Sequence, residues 1–174
     1  DPEAQVNGRS HGLGTLVFSY FLFGFGYVIT ATYLVTIVRG EPGASVVEPV
    51  VWIIVGLACA PSVILWDRVA ERENVVKAYS LACFIQAIGI AASVLWPSIT
   101  GAIFGAVALG GTIMGITALG LQAAARTTIG DPRRVLAFMT AAFGIGQIIG
   151  PTFAGIVSDV TGSFYTPSLF ASAA

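Results

Sequence analysis

Charged residues are scarce in this chain. Only 10% of its 174 residues are Asp, Glu, Lys or Arg, whereas 56% are hydrophobic, and the mean hydropathy is +0.87. A soluble domain carries about 25% charged residues, so this chain has too few ionic groups to cover its surface in water. The composition excludes an ordinary soluble domain and predicts a protein whose apolar surface faces lipid.

Reactive and metal-binding side chains are also few. The two cysteines, Cys59 and Cys83, lie inside apolar runs, and the single histidine, His11, precedes the first run. We interpret the cysteines as small packing residues and His11 as a solvated residue at the membrane surface. The apolar runs contain no nucleophile–base pair and no paired carboxylates, so we expect no enzyme, no metal and no cofactor.

Five apolar runs reach the length of at least about 18 residues that a helix needs to cross a bilayer. They cover residues 13–38, 49–66, 79–96, 98–125 and 135–158. A sixth apolar stretch starts at residue 164 and ends with the chain, after about half the length needed to cross. Residues 1–12 are polar, show no signal peptide pattern and are expected to form a cytosolic linker. We expect residues 13–174 to form an all-α membrane domain whose last span is cut, so that the chain is a fragment.

Basic residues are distributed unevenly between the predicted loops. Seven of the eight lie before the first span, between the second and third, or between the fourth and fifth. These seven are Arg9, Arg68, Arg72, Lys77, Arg126, Arg133 and Arg134. Only Arg39 lies on the other side. Because loops rich in Lys and Arg stay in the cytosol, the N-terminus is expected to be cytosolic.

The fifth span has a weakly polar face. On a helical projection at about 100° per residue, this face lies opposite Ile145, Ile149 and Ile156. It comprises Thr140, Gly144, Gln147, Pro151, Ala154, Gly155 and Ser158. For Gln147 two interpretations stay open: the amide bonds a neighbouring helix, or it contacts a substrate.

Small residues in the fourth and fifth spans predict close helix packing. In the fifth span they are Gly146, Gly150 and Gly155, with Pro151 as a site of bending. In the fourth span they are Gly101, Gly105, Ala108, Thr112 and Gly115. Thr112 is expected to bond the carbonyl four residues earlier, with a contact to substrate as the alternative.

Hydroxyl groups line one side of the first span. Tyr20, Tyr27 and Thr30 share this side, and Tyr27 falls near the middle of the span. A hydroxyl at that depth needs a partner, so we interpret this side as the wall of a substrate pathway. The alternative is a bond to a neighbouring helix. In the second span Pro61 predicts a kink, and Gln86 in the third is interpreted as a structural amide.

Three stretches resemble the major facilitator superfamily. Gly146-x3-Gly150-Pro151-x3-Gly155 is similar to the family's GxxxGP-containing motif. Asp67-Arg68 with Arg72 resembles a degraded copy of its cytosolic loop motif G-x3-D-R-x-G-R-R. The departures are Val63, Ala70 and Glu71, which replace two glycines and one basic residue. The stretch "FLFGFGYVITATYL" is similar to helix seven of the uncharacterised YbfB-type bacterial branch.

The resemblance implies a major-facilitator-type six-helix half, namely helices seven to eleven and the start of helix twelve of a twelve-helix transporter. Its partners would be the missing N-terminal six-helix half, the lipid bilayer and a small-molecule substrate, with no nucleic acid. The location implied is a cell membrane, the bacterial inner membrane. Asp67, Arg68 and Arg72 would belong to a cytosolic gate.

The function implied is secondary transport of a small organic solute by alternating access. No Asp, Glu, His, Lys or Arg lies in the middle of any span, so proton coupling is expected through residues of the missing half. The alternative is a membrane scaffold or assembly subunit without transport. A scaffold predicts that Tyr20, Tyr27, Thr30 and Gln147 do not converge on one cavity.

Overall fold

The computed structural model describes the backbone of residues 2–39, 44–127 and 131–174. It describes the side chains of these residues other than 2–11, 37 and 44–47, so the predictions for Arg9 and His11 lie outside the described side chains. The described residues form helices and no strands. The helices are α1 (Pro2–Arg39), α2 (Ala44–Cys59), α3 (Ser62–Arg72), α4 (Val75–Leu95), α5 (Ile99–Thr127), α6 (Pro132–Thr161) and α7 (Tyr165–Ala173).

Five helical segments of the described chain are long and apolar enough to cross a membrane. They are Gly12–Thr36, Glu48–Arg72, Val75–Leu95, Ile99–Thr127 and Pro132–Thr161. Each overlaps one of the runs found in the sequence. The first helix begins at Pro2, so the backbone of the expected linker is helical and continues into the first span.

The second span is divided at Ala60 and Pro61, at the kink that Pro61 predicts. Proline has no backbone N–H to donate to the helix, and Pro61 stands at the N-cap of α3 with φ −82° and ψ −8°. The break allows α2 and α3 to pack separately on α5. By contrast, α6 continues through Pro151 to Thr161.

Helix α5 is the most buried of the five candidate spans. It contacts α1, α2, α3, α4 and α6, because small residues let the backbones of neighbouring helices approach closely. A Cβ atom on Gly110 would overlap the Val55 carbonyl of α2, and Gly89 of α4 lies directly against Ala108.

Helices α1 and α6 pack over much of their lengths, in the same direction. A Cβ atom on Gly146 would overlap the Phe21 carbonyl oxygen and lie 2.8 Å from the Phe25 nitrogen. One on Gly150 would lie 2.6 Å from the Phe25 oxygen, and one on Gly24 would overlap the Phe143 carbonyl. The close packing is therefore between the two backbones.

Apolar side chains cover the outside of the bundle. Ile145, Ile149 and Ile156 of α6 are all exposed, as are Phe84 and Ile88 of α4. In water such a surface would cause association, whereas in a bilayer it matches the acyl chains. The arrangement is that of a membrane helix bundle.

Candidate functional site

The hydroxyl groups of Tyr20 and Thr30 are both hydrogen-bonded inside the bundle. The Tyr20 hydroxyl donates to the Thr117 carbonyl of α5 at 3.3 Å, and its ring packs on Phe23 and Phe143. The Thr30 hydroxyl donates to the Gly26 carbonyl at 2.8 Å, and Thr30 is fully buried. Neither side chain presents a free hydroxyl to a cavity.

Tyr27 is only half-buried and faces an open groove between α1 and α2, which we call the α1–α2 groove. Its volume is about 400 Å³, within the range of about 300–1,000 Å³ typical of small-molecule sites. The residues that line it are Tyr27, Val28, Ala31, Thr32, Val35, Thr36, Arg39 and Trp52. The Tyr27 hydroxyl makes no hydrogen bond to any residue that the structure describes.

An ion pair lies at one end of the α1–α2 groove. Arg39 Nε lies 3.0 Å from Glu48 Oε2, and Arg39 Nη2 lies 3.1 Å from Glu48 Oε1. The hydrogen bonds from Arg39 to the Glu48 carboxylate, and the attraction between the two charges, raise the pKa of Arg39. The two parallel bonds are the bidentate geometry that suits guanidinium and carboxylate, and they join the end of α1 to α2.

Gln147 lies beside the packed surface of α6 rather than within it. Gly146 and Gly150 touch α1, whereas a Cβ atom on Gly144 or Gly155 would meet nothing within 4 Å. Gln147 is partly exposed and makes no hydrogen bond to the described residues. The weakly polar stripe therefore borders the α1–α6 contact and is open along part of its length.

Tyr27 of α1 and Gln147 of α6 lie on neighbouring parts of the surface beside the α1–α6 contact. The Phe143 ring of α6 stacks with the Tyr27 ring, with centroids 6.4 Å apart, and Gln147 lies one helical turn beyond Phe143. The four polar residues therefore do not all line one cavity, contrary to expectation: Tyr27 lines the α1–α2 groove and Gln147 is partly exposed, whereas Tyr20 and Thr30 are enclosed.

Thr112 lies in the interface between α4 and α5, away from the groove. Its hydroxyl oxygen lies 2.6 Å from the Ala108 carbonyl and 2.8 Å from Gln86 Oε1. A hydroxyl has one proton and cannot donate to both. If the Gln86 amide is turned so that its NH₂ group faces Thr112, Thr112 donates to Ala108 and accepts from Gln86. Gln86 is thus a structural amide between two helices.

A second polar groove lies at the end of α3 and α5. Gln122 Nε2 donates to Asp67 Oδ1 at 2.9 Å, which fixes Asp67 to α5. The groove has a volume of about 450 Å³ and is lined by Asp67, Ala70, Glu71, Val75, Gln122 and Arg126. The other two candidates for the gate, Arg68 and Arg72, are exposed.

Two side chains of α3, Ser62 and Trp66, make contacts with α5 that were not expected from the sequence. Trp66 Nε1 and the Ser62 hydroxyl both donate to the Gly111 carbonyl, at 2.8 and 3.0 Å. The Gly115 N–H donates to the same Ser62 oxygen at 3.1 Å. In a regular α-helix the Gly115 N–H donates to the Gly111 carbonyl. The Ser62 hydroxyl bonds both of these groups, so it inserts into the hydrogen-bonding ladder of α5. Trp66 lies over Gly115. The i, i+4 spacing of Ser62 and Trp66 places both on one face of α3, and this is the sequence feature from which the contact could have been predicted.

Clusters of side chains that could hold a metal ion do not occur in the described part of the chain. No cluster of three or more His, Cys, Asp or Glu side chains is present there. Cys59 and Cys83 are both free thiols.

Comparison with known proteins identifies the class. The family described as "Uncharacterised MFS-type transporter YbfB" matches residues 1–174, the whole chain. The chain belongs to this family. The resemblance seen in the motifs is confirmed, and so is the all-helical, major-facilitator-type fold. Members of the YbfB-type family are multi-pass membrane proteins, and membership implies a transporter rather than an enzyme. No curated protein and no solved structure matches the chain.

Proposed function

We propose that this transporter moves a small organic solute by alternating access between two six-helix halves. Residues 1–174 would supply helices seven to eleven and the start of helix twelve. A second six-helix half, outside these residues, would provide the other wall of the pathway and the group that couples transport to protons. The start of α1 would lie in the cytosol and the protein in the bacterial inner membrane, which the seven basic residues on one side support.

One observation carries the proposal. The surface beside the α1–α6 contact presents the Tyr27 hydroxyl and the Gln147 amide, neither of which bonds any described residue, and the open backbone at Gly144. Unpaired polar groups are costly against hydrocarbon, so this surface fits a water-filled cleft better than lipid. Glycine at the same place leaves room for a solute to approach the backbone.

The polar groove at Asp67 fits a part in the cytosolic gate. The Asp67–Gln122 hydrogen bond joins α3 to α5 in the groove that Glu71 and Arg126 also line. Arg68 and Arg72 are exposed there, free to contact the other half when the cytosolic side closes. Charged groups in such a gate bias one state through pairs that form in that state alone.

Gln147→Leu is expected to leave folding unchanged and to reduce transport about tenfold, because a solute that bonds the amide loses that bond. The folded yield and melting temperature should match the unsubstituted protein, since Gln147 bonds no described residue. The measurement is initial transport rate in proteoliposomes, using the solute moved fastest in a screen with and without a proton gradient.

Ile149→Leu is the matched control for this experiment. It lies on the same helix, on the exposed apolar side, and is expected to change neither yield nor rate. If Gln147→Leu lowered folded yield and transport by the same factor, the amide would be a packing group and the proposed solute contact would be wrong.

A further inference from the structure

We propose that the α1–α2 groove binds an uncharged amphipathic solute, with an apolar body and a group, such as hydroxyl, that both donates and accepts a hydrogen bond. The inference rests on the proposed function, since it names the class of solute that this transporter would carry. It depends on the charge, the hydrogen-bonding groups and the size of the groove.

The described residues that line the groove provide no free charge. Between Tyr27 and Thr36 its lining is uncharged, and the cation at its end, Arg39, is already held by Glu48 through two hydrogen bonds. An anion at that end would be attracted by Arg39 and repelled by Glu48, and a cation would be repelled by Arg39 and attracted by Glu48. A charged solute would therefore lose water without gaining a counter-charge.

The two threonine hydroxyl groups of the groove already donate their protons to backbone carbonyls. Thr32 donates to the Val28 carbonyl at 2.9 Å and Thr36 donates to the Thr32 carbonyl at 3.0 Å. Their oxygens retain lone pairs, so they accept hydrogen bonds from a solute. The Trp52 indole N–H and the Tyr27 hydroxyl have no partner among the described residues, so they supply donors. A solute hydroxyl can use both kinds of group.

The remaining lining is apolar and elongated. Val28, Ala31 and Val35 form the wall between the polar groups, and Trp52 faces them from α2. The segment from Tyr27 to Thr36 extends about 14 Å at the rise of an α-helix. With a volume of about 400 Å³, the groove has room for a ring and a short chain.

The test uses three probes with the same phenyl ring and two-carbon chain: neutral 2-phenylethanol, anionic phenylacetate and cationic 2-phenylethylamine, all at about pH 7. In the full-length transporter with Cys59→Ala and Cys83→Ala, Thr32→Cys provides one thiol in the groove. The rate of its labelling by a soluble maleimide is measured in proteoliposomes with each probe. Thr36→Cys is a second groove variant, and Thr161→Cys, at the exposed end of α6, controls for effects of the probes on the membrane.

We expect saturating 2-phenylethanol to slow labelling at position 32 or 36 about tenfold, and either ion at the same concentration to slow it less than about twofold. Labelling at position 161 should not change. Equal or better protection by phenylacetate or 2-phenylethylamine would overturn the inference, and so would a transporting protein that no probe protects. Protection by the neutral probe in a protein that transports no solute would count against the proposed function and leave the groove assignment standing.

Discussion

Gly146→Ala is expected to lower the free energy of unfolding by about 1–3 kcal/mol, the usual cost of overpacking. The new methyl group would overlap the Phe21 carbonyl oxygen and lie 2.8 Å from the Phe25 nitrogen. Both atoms belong to the backbone of α1, so no side chain can rotate away and the two helices must separate. Separation would also disturb the Gly150 and Gly24 contacts on either side, which favours the upper part of the range.

Gly144→Ala is the matched control, because it lies on the same helix and its added methyl group would meet nothing within 4 Å. It should be neutral or slightly stabilising, since alanine favours a helix over glycine by up to about 1 kcal/mol. The measurement is the equilibrium unfolding of both variants in mixed detergent micelles. Equal stability of the two variants would show that α1 and α6 do not pack backbone to backbone.

Trp66→Ala is expected to be the most damaging single change in α3, with a loss of about 3 kcal/mol or more. Trp66 is only 8% exposed, and its ring fills the space over Gly115. Removing it leaves a cavity against α5 and takes one of two donors from the Gly111 carbonyl. Trp66→Phe keeps most of the ring and loses the N–H, so it should cost only about 0.6–1.7 kcal/mol.

Trp96→Ala serves as the control for the loss of a tryptophan. Trp96 is 58% exposed, so its removal should change stability by no more than about 0.5 kcal/mol. Unfolding of the three variants is compared under one set of detergent conditions. If Trp66→Ala were no more harmful than Trp96→Ala, the packing of α3 on α5 would be wrong.

The helices could be predicted from the sequence because length and apolarity determine whether a segment can span a bilayer. Each apolar run overlaps one candidate span, with ends that differ by one to six residues. Pro61 marks the break between α2 and α3 because proline removes a backbone donor. The partners of the small residues could not be predicted. Gly105 lies against Ser93 and Leu34, whereas Gly115 lies against Trp66. A helical projection shows which residues share a face but not which neighbouring helix packs against that face.

The same limit applies to the candidate site. Tyr20 and Tyr27 share one side of α1 in projection, but Tyr20 is covered by α5 and Phe143 while Tyr27 borders the groove. The groove itself depends on Trp52 of α2 and on the Arg39–Glu48 ion pair, which joins the end of α1 to α2. Local spacing identified the polar side of α1, and only the packing of α5 and α6 against it separates its enclosed residues from its open ones.

The central claim is that the stripe around Gln147 faces water rather than lipid. The direct measurement compares Gln147→Cys with Ile149→Cys, two positions on one helix at similar depth, in the full-length protein with Cys59→Ala and Cys83→Ala. A membrane-impermeant maleimide reacts with a thiol only where water permits the thiolate, so labelling at position 147 should be at least about tenfold faster than at position 149. Equal rates, or faster labelling at position 149, would contradict the claim.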